Sequence, residues 1–564
     1  MKSVVVIGGY GGFGSRLCRR LAKDGWRVVV AGRNIERARE LAAELPHGEA
    51  AAIDRTGDLE AALAALAPLL VVDAAGPFQD SDYRVPEACI ALGIHYCDLA
   101  DARGFVTGID RLDEQARQAG VAVVSGASSV PALSGAVVRK LAASFDGVSK
   151  VAIAISASDK AVAGTSVTNA ILSYVGKPVP LRRGGRRDLA SGWQELDRVR
   201  LRMHGPERFD RLVALADVPD LDIWPKRLAG APATVFHAGP EHGFQVRALS
   251  WLGAAVRRGW IGSLAPLARL VRPMQALTRP FSDGRSAMTV ELSGYGEDGM
   301  QIARWELLAT DGDGPEIPVL AAQLLARKLL EGGLGPGARD AHAELDLAAF
   351  EREFAALSIA TAEVVEPFTP LYRRVLGTRF DDLPEPIRTM HDLCGDGGAA
   401  GQANVTRGGN PLARLIGWIM RFPKAGEHRL HVAFTADGSG ETWTREFGSQ
   451  RFSSRLSANQ GHLTERFGPL RFTFDLPVTS QGLAMVIRRW TAFGIPMPLA
   501  LAPRIAASES VEQGRFAFDV AIAMPLIGNI VRYCGRLRPI NDPAICGLPS
   551  GKLEILRDPS GYPL

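Results

Sequence analysis

Three groups of residues in this 564-residue chain have types and spacing that could do chemistry. The first is Gly9-Tyr10-Gly11-Gly12-Phe13-Gly14, directly after Val4-Val5-Val6-Ile7 and directly before Ser15-Arg16-Leu17. Glycines in the order Gly9-x-Gly11-x-x-Gly14 let a backbone turn tightly and approach a pyrophosphate, whose charge the following helix N-terminus favours. The motif alone is weak. A β-branched strand before it, a helical pattern after it and a second strand at Arg27–Ala31 supply the context it needs. The second group, Gly32-Arg33-Asn34, ends that second strand. An NAD site would carry Asp or Glu here for the ribose 2′-hydroxyl. None is present, and the planar, permanently charged Arg33 suits a 2′-phosphate instead. NADP is therefore expected over NAD, and a solvated loop arginine is the plainer alternative. The third group lies at later strand ends: Asp54, the turn Ala75-Gly76-Pro77, and Tyr96, Asp98 and Asp101. Asp54 could accept from an adenine amino group or cap a helix. Hydride transfer needs a proton donor or acceptor beside the nicotinamide. Asp98, Asp101 and Tyr96 are the candidates, with His95 and Lys160 behind them. Two plainer roles compete: His95 as a strand-flank histidine, and Asp98 as an acceptor for backbone amides.

These residues need a sheet edge to hold them. Up to 145 the chain alternates short apolar runs (Val4–Ile7, Arg27–Ala31, Ala50–Ile53, Leu69–Asp73, His95–Asp98, Val121–Val124) with helical periodicity. Such βαβ units close into a doubly wound parallel α/β sheet of Rossmann type, with the site at its carboxyl edge. The expected organisation is this domain over 1–145, an α+β domain over 146–362, and an antiparallel β-rich domain over 366–564 behind the linker Glu366-Pro367-Phe368-Thr369-Pro370.

The loop Gly9–Gly14, the turns Ala31-Gly32-Arg33-Asn34 and Ala75-Gly76-Pro77-Phe78, and two further stretches together resemble the saccharopine dehydrogenase-like oxidoreductases. The further stretches are His95-Tyr96-Cys97-Asp98-Leu99-Ala100-Asp101 and Gly126-Ala127-Ser128-Ser129-Val130-Pro131-Ala132-Leu133. Generic dinucleotide domains lack these last two. Many relatives have Gly-Glu where this chain has Ala100-Asp101, so the acid is kept but shortened. The resemblance implies an NADP-binding domain followed by an α+β domain that closes over the nicotinamide. The entry Gly314-Pro315-Glu316-Ile317-Pro318 resembles the family's return helix, here 319–330, packing back toward the first domain.

In the middle segment, Ser286–Tyr295 and Met300–Thr310 are expected as a hairpin turning at Gly296-Glu297-Asp298-Gly299, and Gly164 to Val167 as the start of a helix. The basic loop Arg182-Arg183-Gly184-Gly185-Arg186-Arg187 could meet an anionic substrate or the cofactor phosphate, or be a solvated loop. Residues 251–281 are rich in Trp, Leu, Ile and Val, with arginine as their only charge. Over Leu264–Leu277 the apolar residues fall at helical spacing, with Pro273 a kink or end. Peripheral contact with an anionic membrane, an apolar substrate entrance, a homodimer contact and a buried structural helix all fit this pattern.

The last segment predicts helices at Leu371–Leu376, Ile387–Cys394 and Leu412–Phe422 and a Gly-rich turn at Gly395–Gly401. Nine period-two runs between His428 and Arg536 then read as a curved or barrel-like antiparallel meander. Trp443–Phe447, Thr464–Gly468 and Glu509–Phe518 look like a domain of unknown function often fused behind saccharopine dehydrogenase-like regions; that resemblance implies no activity. A curved sheet with helices beside it suits an apolar ligand. A structural or dimerising domain is the alternative.

A net charge of +4 without a basic tract gives no reason to expect nucleic acid. The six cysteines are scattered without a CxxC pair, which argues against zinc and disulfides and fits a reducing cytoplasm. His428 and His431 would face opposite sides of a strand, so no metal is expected. The first strand starts at once after Met1 and no apolar run is long enough to span a bilayer, so the expectation is cytoplasmic, or peripheral at the inner membrane surface. The reading that follows is NADP-dependent hydride transfer on a hydrophobic, lipid-like enoyl or carbonyl substrate. The alternative is a non-catalytic NADP-binding lipid-binding or scaffold protein.

Overall fold

The computed structural model describes residues 2–160, 165–202, 209–268, 273 and 276–540. Strands β1 (Ser3–Ile7), β2 (Arg27–Gly32), β3 (Glu49–Ala52), β4 (Leu70–Asp73), β5 (His95–Asp98) and β6 (Ala122–Ser125) pair in parallel in the order β6-β5-β4-β1-β2-β3. Their near-continuous apolar sequence has a simple cause, because helices cover both faces. Val4, Val6, Val28 and Val30 point into one core, and Val5, Ile7, Val29 and Val71 into the other.

The second sheet is mixed and runs β10-β11-β12-β7-β13-β14-β16. Its strands are β7 (Gly147–Ser156), β10 (Leu196–Arg200), β11 (Asp210–Leu215), β12 (Ala233–Gly239), β13 (Ser286–Gly296), β14 (Gly299–Ala309) and β16 (Ile359–Pro367), with β8 (Pro178–Arg183) and β9 (Arg186–Ser191) forming a separate hairpin. The return helix spans Ile317–Leu330 and packs on the first helix of the chain, Gly12–Lys23. Arg20 donates to Glu316 (2.7 Å), and Arg327 donates to Asp24 (2.7 Å). Strand β15 (Gly337–Asp340) then joins the first sheet beside β6. A boundary at 145 therefore does not close the first domain: the stretch from Ile317 to Asp340 belongs to its core, although it lies within the 146–362 segment. Arg103 fastens the two sheets' domains together, with its guanidinium on Asp222 (2.7 and 2.6 Å), Asp217 (3.0 Å) and the Pro180 carbonyl (2.6 Å).

The last segment forms a closed antiparallel barrel. Its strands are β17 (Asp396–Arg407), β18 (Gly426–Asp437), β19 (Gly440–Phe447), β20 (Gln450–Asn459), β21 (His462–Phe467), β22 (Leu470–Asp475), β23 (Val478–Thr479), β24 (Gly482–Ala492), β25 (Ile495–Pro496), β26 (Arg504–Glu512), β27 (Arg515–Met524) and β28 (Gly528–Pro539). Pairing of β22 with β24 closes the ring and removes the free edges. The Gly-rich stretch 395–401 is not a turn but the start of β17. Its glycines serve close approach: a Cβ at Gly398 would lie 1.9 Å from the Gly184 carbonyl, and one at Gly401 1.8 Å from that of Arg536.

That contact also corrects the expectation for the basic loop. Gly184 and Gly185, both at positive φ, turn the β8–β9 hairpin, which lies against the barrel wall. The Gly184 amide donates to Asp396 (2.6 Å), the Gly184 carbonyl sits 2.9 Å from His431 Nε2, and Arg186 pairs with Glu446. The cluster is an interdomain clasp in which Arg182, Arg183 and Arg186 are half-buried and Arg187 is exposed. Burial in this clasp pushes the Asp396 carboxyl up to about 7, against the Gly184 hydrogen bond and nearby Lys150 and Arg183. A raised acid binds its proton more tightly folded than unfolded. Its stabilising share is full below the ordinary aspartate range and is lost as pH rises through about 7. Asp396→Asn keeps the acceptor for Gly184 and removes the titration. The melting temperature of the variant, relative to the parent, should climb between pH 4 and 7; a difference independent of pH in that window would refute the assignment.

Candidate functional site

The site is built at the carboxyl edge of the first sheet. Gly8 and Gly9 donate to the Ala31 carbonyl (2.8 and 3.1 Å), and Gly11 donates to Gly8 (2.9 Å). A Cβ at Gly14 would stand 2.2 Å from the Gly8 carbonyl, and one at Gly9 2.9 Å from that of Val6, so these two glycines serve the fold. Gly12 is different. It is exposed, and a Cβ there would meet nothing within 4 Å. The helix it begins has Gly11 as its N-cap and no side-chain cap, so its first amides point outward without a protein partner from that side. This is the cradle an anionic pyrophosphate needs.

The adenosine end lies at the end of β2. The half-buried Tyr10 packs on Gly32, where a Cβ would lie 2.5 Å from the ring, and its hydroxyl accepts from the Asn34 amide (3.0 Å). Asn34 is committed to structure, since its Oδ1 accepts from Arg37 (3.1 Å) and caps helix Ile35–Ala43. Arg33 is exposed beside it, and the Arg37 guanidinium lies 4.8 Å from the Tyr10 ring centroid. The next acid, Glu36, is held by Arg39 (2.8 Å). Asp54 accepts from the Thr56 amide (3.0 Å) and hydroxyl (2.8 Å); those bonds, with the charge of Arg33, hold its carboxyl below the usual range. Arg33 and Arg37 fit a 2′-phosphate, with Asp54 the acid close enough to act on Arg33.

The nicotinamide end is framed by the turn after β4, where Ala75 abuts Gly8 and Pro77 is exposed. Sequence reasoning missed its anchor, Arg55. This side chain donates to the Ala75 carbonyl (2.6 Å) and Ser81 (3.2 Å), pairs with the buried Asp73 (3.3 Å), and stacks over Phe78. No motif marks it, because its partners come from a strand end and a turn some 20 residues on.

The structure separates the proton-transfer candidates. Asp98 is fully buried and its Oδ1 accepts from Ala100 (3.0 Å) and Gly126 (2.8 Å), tying together the loops after β5 and β6. Burial pushes it up to about 6, against those bonds. Tyr96 lies in the core under the helices, and burial raises its phenol well above the ordinary value. His95 opens β5 at the opposite, amino edge, where Nδ1 accepts from Ala122 (3.0 Å). Lys160 lies beyond β7 against Gly284, in the second domain. Of these candidates at the sheet edge, Asp101 is the one exposed; it takes a hydrogen bond from Gln79 (3.3 Å) and is pushed up by the protein crowded around it. Unmarked by any motif, Tyr174 ends helix Thr165–Tyr174 close enough for the charges of Asp101 and Asp217 to act on it. Burial raises its phenol, beside Trp193 and the Asp217 backbone. Among the described residues no group of three metal-ligating side chains occurs.

Residues 4–124 match the saccharopine dehydrogenase NADP binding domain. This chain carries a saccharopine dehydrogenase-type NADP-binding domain. Residues 383–537 match a domain of unknown function, DUF4166, whose span covers the barrel from the helix before β17 into β28. The chain is 39% identical over 94 residues to a serine 3-dehydrogenase of Agrobacterium fabrum, covering 16% of this chain and 34% of that protein. It is also 39% identical over 111 residues to one of Rhizobium radiobacter, covering 19% and 41%. It thus spans well under half the length of these relatives. Among solved structures it is similar to the amine dehydrogenase from Mycobacterium smegmatis, at 12% identity and TM-score 0.34 over 61% of this chain and 95% of that one. It is also similar to a 3-ketoacyl-(acyl-carrier-protein) reductase from Brucella melitensis complexed with NADH, at 20% identity and TM-score 0.19 over 22% and 73%.

Two glycines of the saccharopine dehydrogenase-type loop should separate binding from folding. Gly12→Val places its side chain in the pyrophosphate cradle. It should weaken NADPH affinity at least tenfold by calorimetry and leave the melting temperature unchanged. Gly14→Ala forces Gly8 aside and should lower the melting temperature. Normal NADPH affinity in Gly12→Val would place the pyrophosphate elsewhere.

Proposed function

We propose that this protein is an NADP-dependent oxidoreductase acting by hydride transfer on a hydrophobic, lipid-like enoyl or carbonyl compound. The observation that carries the reading is the uncapped helix N-terminus at Gly12, with Arg33 and Arg37 at its adenosine side, where Glu36 pairs with Arg39 and Asp54 accepts from Thr56. NADPH, when bound, supplies the hydride. The Gly76-Pro77 turn, held by Arg55, bounds the nicotinamide end, and the cleft between Asp101 and Tyr174 receives the substrate. Asp101, exposed and bonded to Gln79, and Tyr174, on which its charge acts, are the groups placed to return a proton to a reduced carbonyl. Support for an apolar substrate comes from the exposed aromatic side chains Phe244 and Trp251 on helix Gly243–Arg257, with Trp260 just beyond it. Residues 269–272, 274 and 275 of the basic amphipathic stretch, and Gly164, lie outside the described residues.

A second reading, NADP as a sensed or structural ligand of a lipid-binding protein, is favoured by a different observation. Asp98, Tyr96 and His95 are all committed to structure, which leaves few groups for chemistry. NADPH oxidation against a panel of enoyl and carbonyl lipids decides between the two. Turnover with at least one member is expected, with Asp101→Asn and Tyr174→Phe lowering kcat more than they raise KM. Tight NADPH binding without turnover on any member favours the sensing reading. Separately, calorimetry should show preference for NADPH over NADH. Arg33→Ala should cut that preference about tenfold or more, the loss expected for one charge-assisted phosphate contact. Equal affinities in the parent protein would remove the argument from Arg33.

A further inference from the structure

The barrel encloses a cavity of about 190 Å³ whose wall is almost wholly apolar and rich in phenylalanine, with Trp443 and Tyr533 among its rings. Polar groups interrupt it at two places. At one, Ser508 and Glu509 line the wall, with Glu509 paired to the buried His391 (2.6 Å). At the other, Arg445 faces Glu465 (3.7 Å), donates to Ser454 (2.9 Å), and lies over Trp443; both charges act on the Tyr533 phenol beside them. Because Arg445 and Glu465 balance and Glu509 has its own partner, the wall suits a neutral hydrogen-bonding group on an otherwise apolar molecule better than a free charge.

The rim of the barrel is unlike the rest of the surface. At one end lie the ends of β17, β24 and β27, the starts of β18, β26 and β28, and helix Pro411–Ile419. That helix buries only Ala413 and Gly417. Ile416, with Met420 just after the helix, lines the cavity, while Leu412, Leu415, Trp418 and Ile419 are exposed, Trp418 by 76%. A helix apolar on both its inner and outer faces does not fit a water boundary. Leu526 stands fully exposed at the tip of the β27–β28 turn, which Asn410 ties to this helix through the Ile527 carbonyl (3.3 Å). Across the rim, Phe493 is 82% exposed beside Pro469, to which its amide donates (3.0 Å). Exposed apolar side chains grouped in this way mark an interaction surface.

Charge identifies what this rim meets. Acids are sparse at this end: 397–426, 466–474, 476–508 and 520–540 hold no Asp or Glu, and Glu427 stands exposed at the start of β18. Arg414, Arg421, Lys424, Arg471, Arg489 and Arg504 are exposed there. An apolar patch where cations outnumber anions complements an anionic phospholipid surface. We propose that this end of the barrel docks on an anionic bilayer, and that its cavity takes from that bilayer an apolar molecule bearing one neutral carbonyl or hydroxyl group. The proposal does not depend on the oxidoreductase reading, and it puts the membrane contact on the barrel rather than on 251–281.

Two assays on the full chain test it. The first is sedimentation with vesicles of pure phosphatidylcholine, or of phosphatidylcholine with one-quarter phosphatidylglycerol. The protein should pellet with the anionic vesicles and not with the neutral ones. Trp418→Ser/Leu526→Ser and Arg414→Glu/Arg421→Glu should each lower partitioning about tenfold or more, as expected for removing interfacial side chains or reversing two charges. Trp251→Ser/Trp260→Ser should pellet like the parent. All variants should keep the parental circular dichroism spectrum and melting profile, which shows that the barrel folds. Failure of the parent to pellet, rim variants that pellet like the parent, or loss in Trp251→Ser/Trp260→Ser alone would each overturn the docking surface. The second assay uses the neutral fluorophore N-phenylnaphthylamine, whose emission should rise with the parent protein and not with Val520→Trp, which fills the cavity. No rise with the parent, or an equal rise with a Val520→Trp protein of parental melting temperature, would overturn the cavity as a ligand site.

Discussion

At Gly14 the first helix comes so close to the Gly8 carbonyl that no side chain fits between them, and everything at the dinucleotide edge depends on that approach. It sets the angle at which the helix leaves the strand, and so where its uncapped amides point. The same turn donates hydrogen bonds to the end of β2 and abuts Ala75 after β4, so three strand ends are registered to one another through backbone contacts. Side chains then refine the edge: Tyr10 roofs the end of β2, Arg55 pins the turn after β4, and Asp98 joins the loops after β5 and β6. Of the three groups eligible for chemistry at β5, Asp98 is used in this work and Tyr96 is buried in the core. Asp101 is left exposed because it lies three residues beyond the strand, past the point where the sheet can enclose it.

The first two parts of the molecule share one apolar core, in which Val4 and Val30 belong to the same cluster as Trp224, Val290 and Trp305, and charged and glycine-rich contacts add to it. Arg103 crosses from the first domain to the second with both guanidinium edges used. The β8–β9 hairpin crosses from the second domain to the barrel, where Gly184 and Gly398 touch backbone to backbone. The barrel keeps a separate hydrophobic cluster. Its interior is therefore free to be shaped for a ligand, since the stability of the other two domains does not rest on filling it.

The sequence carried the secondary-structure pattern well where one period dominated. Valine runs covered on both faces read as parallel strands, and the two-residue alternation after 428 read as an antiparallel meander. It misled where glycine had two meanings. Gly395–Gly401 looks like a turn because glycine is common in turns, yet here it is a strand whose missing side chains admit neighbouring backbone. Arg182–Arg187 looks like an anion site because local charge says nothing about distant acids, and its partners Asp396 and Glu446 come from the barrel.

Local order along the chain determined the cofactor class, because a pyrophosphate loop is one continuous strand-turn-helix whose glycines, and the absent acid at the end of β2, can be read directly. Only the tertiary structure decided which acid at the sheet edge stays exposed, that Tyr174 comes near it, that residues 317–340 return to the first sheet, and that the meander closes on itself. Each of these depends on groups far apart in the chain being brought together, and neither composition nor periodicity encodes which distant partner a residue will meet.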